Sequence, residues 1–413
     1  MNILLTPVGS HGDVHPFVGL GIALKQRGHS ISLIAAEPYQ PLAERHGFDF
    51  AQVGTSEEFQ RMAHDPMLWH PSKSMRAVFN RELLEKYLPL AYGAIESRYV
   101  RGQTLLVGGS LAFAARIANE KLGIPLASVH LQPITILSVT DPPKFPGAPH
   151  TKYFPRWVRP LIYWYGERLV LDGFLAAPVN GFRATLGLPP VKRVWGKWRH
   201  SPQLILGLFP KWFATARDWP AHFHQTGFIR YDQGEAKALP PEVEEFLNAG
   251  EPPVVVSFGS AMRQGRPYFT AAAEACRRLG KRCMILAKNG DQIPPDLPAG
   301  CRQFDYAPFS LVFPRAAAVV HHGGIGTTAQ CLAAGVPQFV MPLAFDQPDN
   351  ADRLERLGVA TSLLAAKFTA DRATKKLDEL LRNGRIKAVC ESVRSKMEDD
   401  PLPRTCELIE GIV

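Results

Sequence analysis

The stretch Ala316-Ala317-Ala318-Val319-Val320-His321-His322-Gly323-Gly324-Ile325-Gly326-Thr327-Thr328 decides the fold. An apolar run with two β-branched residues reads as a buried strand, and the glycines that follow read as a tight turn into a helix. A helix of Thr328–Ala334 ends at Gly335, and Gln338–Pro342 is the next strand. A strand, crossover helix and second strand form a βαβ unit with a parallel sheet and a right-handed crossover. A glycine-rich turn at a helix N-terminus points backbone N–H groups at an anion, and the helix dipole adds to their field. His322, Thr327 and Thr328 add side-chain donors to that turn, so it reads as a phosphate site.

The same alternation appears throughout the 413 residues. Ile3–Pro7 is a strand, Gly9-Ser10-His11-Gly12-Asp13 a loop, and Phe17, Leu20 and Leu24 mark the inner face of a helix closed by Gly28. Ser30–Ala35, Thr104–Val107, Leu126–Val129 and Leu204–Leu208 follow as strands, then Val254–Ser257 and Cys283–Ala287. The fold class is therefore α/β, with two parallel-sheet halves facing across a cleft. The expected limits are 1–230 for the first half, 231–252 for a linker, 253–395 for the second half, and 396–413 for a helix returning to the first. Thr135–Pro160, rich in proline and aromatics, reads as a long irregular excursion, and such loops tend to be functional.

Composition narrows the classes. Hydrophobic residues are 46% and charged residues 21%, the balance of a folded globular chain and not of a disordered or fibrous one. No apolar run is long enough to span a bilayer, and MNILLTPVG lacks the basic region of a secretory signal. The six cysteines form no CxxC pair, so reduced thiols in a cytoplasmic protein are expected, and no metal site. Net charge is 47 − 38 = +9. The densest basic cluster, Lys192, Arg193, Lys197, Arg199 and His200 around Trp195 and Trp198, reads as a solvated loop, with an acceptor entrance or peripheral membrane contact as the functional reading. No recognisable nucleic-acid motif accompanies it.

Two further stretches lie where ligands bind, beyond the carboxyl ends of parallel strands. Asp346 and Gln347, after Gln338–Pro342, can bond the vicinal hydroxyls of a sugar. Asp13, His11 and His15, after the first strand, are candidate general bases, with a helix-capping role as the competing reading of Asp13. Gly324-Ile325-Gly326-Thr327-Thr328-Ala329 also fits a dinucleotide fingerprint, but it lies late in its half and His321-His322 crowd it. A dehydrogenase and a non-catalytic sugar-nucleotide sensor are thus the rival classes.

At these residues the chain resembles the family 1 glycosyltransferases of the two-domain GT-B type, over essentially its whole length. The signature is His322, Gly324 and Thr327, then Gly335-Val336-Pro337, then Asp346-Gln347. Gly12-Asp13-Val14-His15-Pro16 resembles the sterol and glycopeptide glycosyltransferase branch. The resemblance implies Asp13, or His11, as the catalytic base. It implies donor binding by Gly12, Ser260, Tyr306, Ala307, His322, Gly324, Gly326, Thr327, Thr328, Gln330, Asp346 and Gln347, with Tyr306 stacked on the nucleobase. No metal and no cofactor are implied beyond a nucleotide diphosphate sugar of the dTDP or UDP kind. Asp65-Pro66-Met67-Leu68-Trp69, Leu208–Phe213 and Asp218-Trp219-Pro220 are similar to rhamnolipid-type rhamnosyltransferases. They imply a dTDP-rhamnose donor and a lipophilic acceptor at the inner face of the membrane. The Thr135–Pro160 segment, Trp69, Tyr163, Trp164 and Tyr165 are candidates for the acceptor wall, with a core or domain-packing role as the equal competing reading. Gln330 stands where the plant branch has a ribose-gripping Glu, which loosens the demand for a ribose.

Overall fold

A computed structural model describes residues 1–231, 238–259, 262–288, 290–397 and 399–412. Part of the expected linker, residues 232–237, lies outside that set. The first sheet contains β1 (Asn2–Thr6), β2 (Ser30–Ala35), β3 (Asp49–Gln52), β4 (Thr104–Gly108), β5 (Leu126–His130), β6 (Leu204–Gly207) and β7 (Phe223–Gln225). All pairings are parallel, in the order β3-β2-β1-β4-β5-β6-β7. The second contains β8 (Val254–Ser257), β9 (Cys283–Leu286), β10 (Cys301–Phe304), β11 (Ala318–His321), β12 (Gln338–Val340) and β13 (Ala360–Ser362). It too is parallel, in the order β10-β9-β8-β11-β12-β13. In each sheet the chain moves outward, then returns to the other side of its starting strand. This reversal lies between β1 and β4 and between β8 and β11, where adjacent loops diverge and leave a crevice.

The central strands are apolar because helices cover both faces. Ile3, Leu4 and Leu5 of β1 and Val254, Val255 and Val256 of β8 are all fully buried. The helix His11–Gln26 starts with Ser10 as N-cap, buries Phe17, Leu20 and Leu24, and ends at Gly28, whose φ of +91° suits a residue without Cβ. One apolar cluster joins this helix to Cys406 and Ile409 near the C-terminus, and continues through Cys390 and Val393 to Ile325 and Leu354. The final helix, Leu402–Glu410, is pinned to the end of the first by Glu410, which accepts from Arg27 Nε at 2.8 Å and pairs with His29 at 2.8 Å. The two sheets therefore share packing and hold their carboxyl edges facing each other.

A second connection is ionic. The excursion after β5 reaches the helix Gln347–Leu357 of the other half. Arg353 donates to Asp349 at 2.8 Å and to Asp141 at 2.5 Å, and the Lys144 N–H donates to Asp349 at 2.9 Å. Lys152 and Arg356 pair with Asp352, both at 3.0 Å. The side chains of Arg353 and Asp349 are 2% and 1% exposed, so their charges depend on each other and on Asp141. Removing one member of a buried pair leaves the other uncompensated. Arg353→Met should cost about 3–5 kcal/mol of stability in urea unfolding; a loss below about 1 kcal/mol, the range of surface pairs, would show that the cluster does not hold the halves.

Candidate active site

The turn after β11 is built around two histidines with different jobs. His321 is fully buried, accepts from the Gly323 N–H at Nδ1 (3.2 Å) and donates from Nε2 to Gln338 (3.0 Å). Both ring nitrogens are thus committed to bracing the turn, and burial holds its pKa down to about 3. His322 faces the cleft. Its ring lies on two glycines: a Cβ at Gly324 would meet Nε2 at 2.5 Å, and one at Gly259 (φ +87°) would meet Cε1 at 2.8 Å. Trp69, from the other half, meets the ring edge-on at 6.5 Å between centroids. Burial lowers the His322 pKa to about 4, so at neutral pH it is an uncharged hydrogen-bonding group. Gly326 differs from its neighbours, because a Cβ there would meet nothing within 4 Å. Packing does not demand glycine at that point, whereas close approach of a ligand to the backbone would.

The opposing loop follows β1. Asp13 sits in the first helical turn, and its Oδ2 accepts from the Ser10 N–H at 2.8 Å and the Ser10 hydroxyl at 3.1 Å. Asp13 is therefore both a capping acid and a cleft residue, and the two readings of the sequence coexist. Gly9, at φ +139°, lies directly beneath the carboxylate; a Cβ would stand 2.3 Å from Oδ2. Burial raises the Asp13 pKa, against the bonds from Ser10 and Gln132 that lower it. His11 packs edge-on against Tyr39 and His15, with centroids 5.3 Å apart in each case. Its pKa is lowered by burial and by the positive charges of Lys288 and Arg263, which come from the other half.

Asp346 completes the site. It occupies the N-cap of the helix Gln347–Leu357, yet its side chain makes no capping bond. Oδ2 instead accepts from Asn350 at 2.7 Å, and the same Asn350 amide donates to the Gly323 carbonyl at 2.8 Å, tying the phosphate turn to the next loop. Gln347 Oε1 accepts from the N–H groups of Leu343 and Ala344, at 2.8 and 3.2 Å. Its oxygen braces the loop, so what remains for a ligand is its amide NH₂. Phe345 is held at φ +55°, unusual for a bulky residue, immediately before Asp346. Burial and the charge of Asp13 across the cleft push the Asp346 pKa up to about 7. Among the described residues eight buried side-chain polar atoms make no hydrogen bond, and four of them (Trp69 Nε1, His322 Nδ1, Thr328 Oγ1, Asn350 Oδ1) belong to this site or its support. Unsatisfied buried groups are uncommon in native folds, and their concentration here marks a place built for something else to occupy.

Several expectations are placed by the structure. Gly12, Tyr306, Ala307, Gly324, Gly326, Thr327 and Gln330 all line the cleft with Asp13, His11, His322, Asp346 and Gln347. Tyr306 leaves 46% of its surface open. Ser260 lies outside the described residues. Thr328 does not line the cleft: it is fully buried and its N–H bonds back to Gly324, because one step along a helix turns a side chain away from its neighbour's face. Of the aromatic wall, Tyr163 lines the cleft and donates to the Ser138 carbonyl at 2.8 Å, but Trp164 and Tyr165 face solvent. Trp69 lines the cleft next to His322 and Phe345, not deep on the acceptor side. The cluster at 192–200 is solvated only in part: Lys192, Arg193 and Lys197 are exposed. Val194–Trp198 forms a wide helical turn, Trp198 and Arg199 are buried, and Arg199 stacks 3.8 Å over Trp195 while donating to three carbonyls. The sequence reading missed Lys288 and Arg263; their signal is a base just beyond a strand end and another beyond the Gly259 turn.

The cleft has a volume of about 2230 Å³ and continues into the first half as a chamber lined by Met75, Phe79, Leu84, Phe113, Phe145 and Trp195. Its size and apolar lining suit a ligand larger and greasier than a sugar nucleotide alone.

Comparison with known proteins agrees with this architecture. Residues 3–140 match the glycosyltransferase family 28 N-terminal domain, and residues 283–411 match the C-terminal domain of erythromycin biosynthesis protein CIII-like proteins. O-mycaminosyltylonolide 6-deoxyallosyltransferase of Streptomyces fradiae is 34% identical over 374 residues, 87% of this chain and 85% of that protein. Sterol 3-beta-glucosyltransferase of Komagataella phaffii is 26% identical over 93% of this chain, which spans 32% of that longer protein. Among solved structures, the glycosyltransferase of kitacinnamycin aligns with a TM-score of 0.75 at 21% identity, covering 100% of this chain and 98% of that one. SsfS6 of Streptomyces sp. SF2575, solved with thymidine diphosphate, aligns at 0.68 and 19%, covering 100% and 99%. The chain is a glycosyltransferase. It belongs to the GT-B family whose members include the glycopeptide and sterol glucosyltransferases.

The raised pKa of Asp346 has a measurable consequence. The folded chain holds that proton more tightly than the unfolded chain, whose carboxyl titrates near 3.8. Its contribution to stability is full below about pH 4 and is lost as pH rises through about 7. Asp346→Asn keeps an acceptor for Asn350 and removes the titration. The variant should match the parent in Tm at pH 4 and exceed it by roughly 2 °C or more at pH 8. An equal difference at both pH values would mean that Asp346 does not titrate in that window.

Proposed function

We propose that the protein transfers a hexosyl group, with inversion and without a metal ion, from a nucleotide diphosphate sugar to a hydroxyl of a lipophilic acceptor. The observation that carries this reading is a juxtaposition: a cleft-facing Asp13 from one half opposes the anion turn and Asp346 of the other, beside an apolar chamber. Asp13, raised in pKa by burial, accepts the proton of the acceptor hydroxyl. The freed oxygen bonds to the anomeric carbon from the face opposite the diphosphate, whose C–O bond breaks. His322, the N–H groups at Gly324 and Gly326, and Thr327 receive the charge that develops on the diphosphate, with Lys288 and Arg263 adding positive potential. Asp346 and the Gln347 amide hold sugar hydroxyls, and Tyr306 offers an open ring face to the base. His11, uncharged at neutral pH, is the alternative base.

For the donor we favour deoxythymidine diphosphate sugars of the rhamnose type. A neutral Gln330 in the cleft offers a ribose only one accepting oxygen, and two solved glycosyltransferases of this fold, SsfS6 and VinC, hold thymidine diphosphate. The acceptor favoured by the apolar chamber is a hydroxy-fatty-acid lipid. A second reading, a sterol or polyketide acceptor with a UDP-sugar, draws on the sterol glucosyltransferases and the deoxyallosyltransferase among the relatives.

A thermal-shift panel separates these donors: dTDP should stabilise the chain more than UDP, and Tyr306→Ala should weaken either by about tenfold or more. Asp13→Asn should leave nucleotide binding intact while lowering product formation by about 100-fold or more. Full turnover in Asp13→Asn with loss in His11→Gln would move the base to His11; full turnover in both would sink the mechanism.

A further inference from the structure

Of the sixteen large apolar side chains exposed among the described residues, eight fall within residues 153–170. Elsewhere on the surface such residues are scattered singly, which needs no explanation; a cluster does. Tyr153 and Trp157 are 77% and 75% exposed, and Leu161, Trp164, Tyr165 and Leu169 are each more than half exposed. The backbone arranges this display. The helix Arg159–Tyr165 runs into a wide π-helical turn at Gly166–Leu171 before the helix Asp172–Thr185 continues. The extra residue per turn shifts the register, so Glu167 is carried inward while Leu169 and Val170 stay outside.

Charge on this segment is one-sided. Residues 151–171 contain Lys152, Arg156, Arg159 and Arg168 and a single acid, Glu167. Glu167 is buried, accepting from Arg193 at 2.9 Å and the Gly196 N–H at 2.7 Å. Lys152 pairs with Asp352 and Arg168 with the buried Asp172, while Arg159 donates to three carbonyls and keeps its charge beside the exposed Arg156; the outward face therefore shows aromatics and a net positive charge, with no exposed carboxylate from this segment. It is also continuous with the cleft, because Ile162, Gly166 and Val170 line the chamber from the same turns, and Val170 is 46% exposed as well.

We propose that Thr151–Leu171 is a docking surface for an anionic lipid bilayer, seating Trp157, Trp164 and Tyr165 at headgroup depth and opening the chamber toward the membrane. Tryptophan and tyrosine favour the interface, where an apolar ring meets a wet edge. Arginine and lysine beside them add attraction to anionic headgroups, which separates this partner from a neutral apolar one. The route it gives to a lipophilic acceptor rests on the function proposed above; the docking itself does not, and it is measured without turnover.

The test is flotation of the full chain with vesicles of phosphatidylcholine alone or mixed with phosphatidylglycerol, at low and high salt. The parent should float with the mixed vesicles, more weakly at high salt, and its tryptophan emission should shift to the blue. Trp157→Ser with Trp164→Ser should reduce partitioning about tenfold or more, with an unchanged Tm showing an intact fold. Arg156→Glu should weaken binding to mixed vesicles and not to neutral ones. The proposal falls if the parent stays in solution with mixed vesicles at low salt, or if the double variant floats as well as the parent. It falls equally if the chain forms a dimer that the two tryptophan substitutions disperse, since a second copy would then cover this face.

Discussion

Every strand in both sheets is parallel, and that single constraint positions everything else. Parallel strands must be joined by crossovers, so every strand-to-helix turn falls at one edge of its sheet. The strand order reverses beside β1 in one sheet and beside β8 in the other, and at each reversal two turns diverge and leave room. The Gly9–Asp13 loop fills one such place, and the Gly259 and His322 turns fill the other. Neither place is a complete site. They become one because the C-terminal helices and the Arg353 cluster hold the two edges facing each other.

The electrostatics of the cleft are strained in a specific way. The cleft holds Asp346 up to about 7 against Asp13, and His322 down to about 4. Four buried polar atoms around the turn make no hydrogen bond. For the groups that line the cleft the remedy is shared: a ligand that presents hydroxyls to the carboxylates and anionic oxygens to the imidazole and the backbone N–H groups. Buried groups pay their desolvation in advance, so no reorganisation is needed when charge develops on a leaving diphosphate. Perturbed titration is common at functional sites for this reason.

The legibility of the fold followed burial. The central strands are unbroken apolar runs and were readable as such. The four strands absent from the sequence reading, Asp49–Gln52, Phe223–Gln225, Cys301–Phe304 and Ala360–Ser362, are the two outermost strands of each sheet. An edge strand is short and covered on fewer sides, so it carries polar residues and loses the apolar signal. The donor side was legible because glycine and histidine at fixed spacing reflect local backbone geometry. Trp69 was not read as a donor-side group because it reaches the site from the other half, and Lys288 and Arg263 were passed over because a single base after a strand resembles any solvated loop residue. Trp164 and Tyr165, candidates for the cleft wall or for packing, face solvent instead, because composition gives no sign of which way a ring faces. In the basic cluster at Lys192–Arg199 the solvated reading fails at one residue: Arg199 is buried over Trp195, its charge shared among three carbonyls, while Lys192, Arg193 and Lys197 are exposed.

The excursion between β5 and β6 touches the chamber, the other half and the solvent at once. Phe145 and Tyr163 line the chamber, Asp141, Lys144 and Lys152 grip the helix Gln347–Leu357, and Trp157 and Trp164 face outward. That helix begins at Gln347, directly after Asp346, and Asp349 and Arg353 lie one turn apart along it. A displacement of the excursion would therefore act, through these buried ion pairs, on the loop that carries Asp346. Packed interiors respond to such displacement by shifting elements as units, not by absorbing it locally. The excursion, the alignment of the two halves and the Asp346 loop are thus joined by one connection, and it runs through Asp141, Arg353 and Asp349.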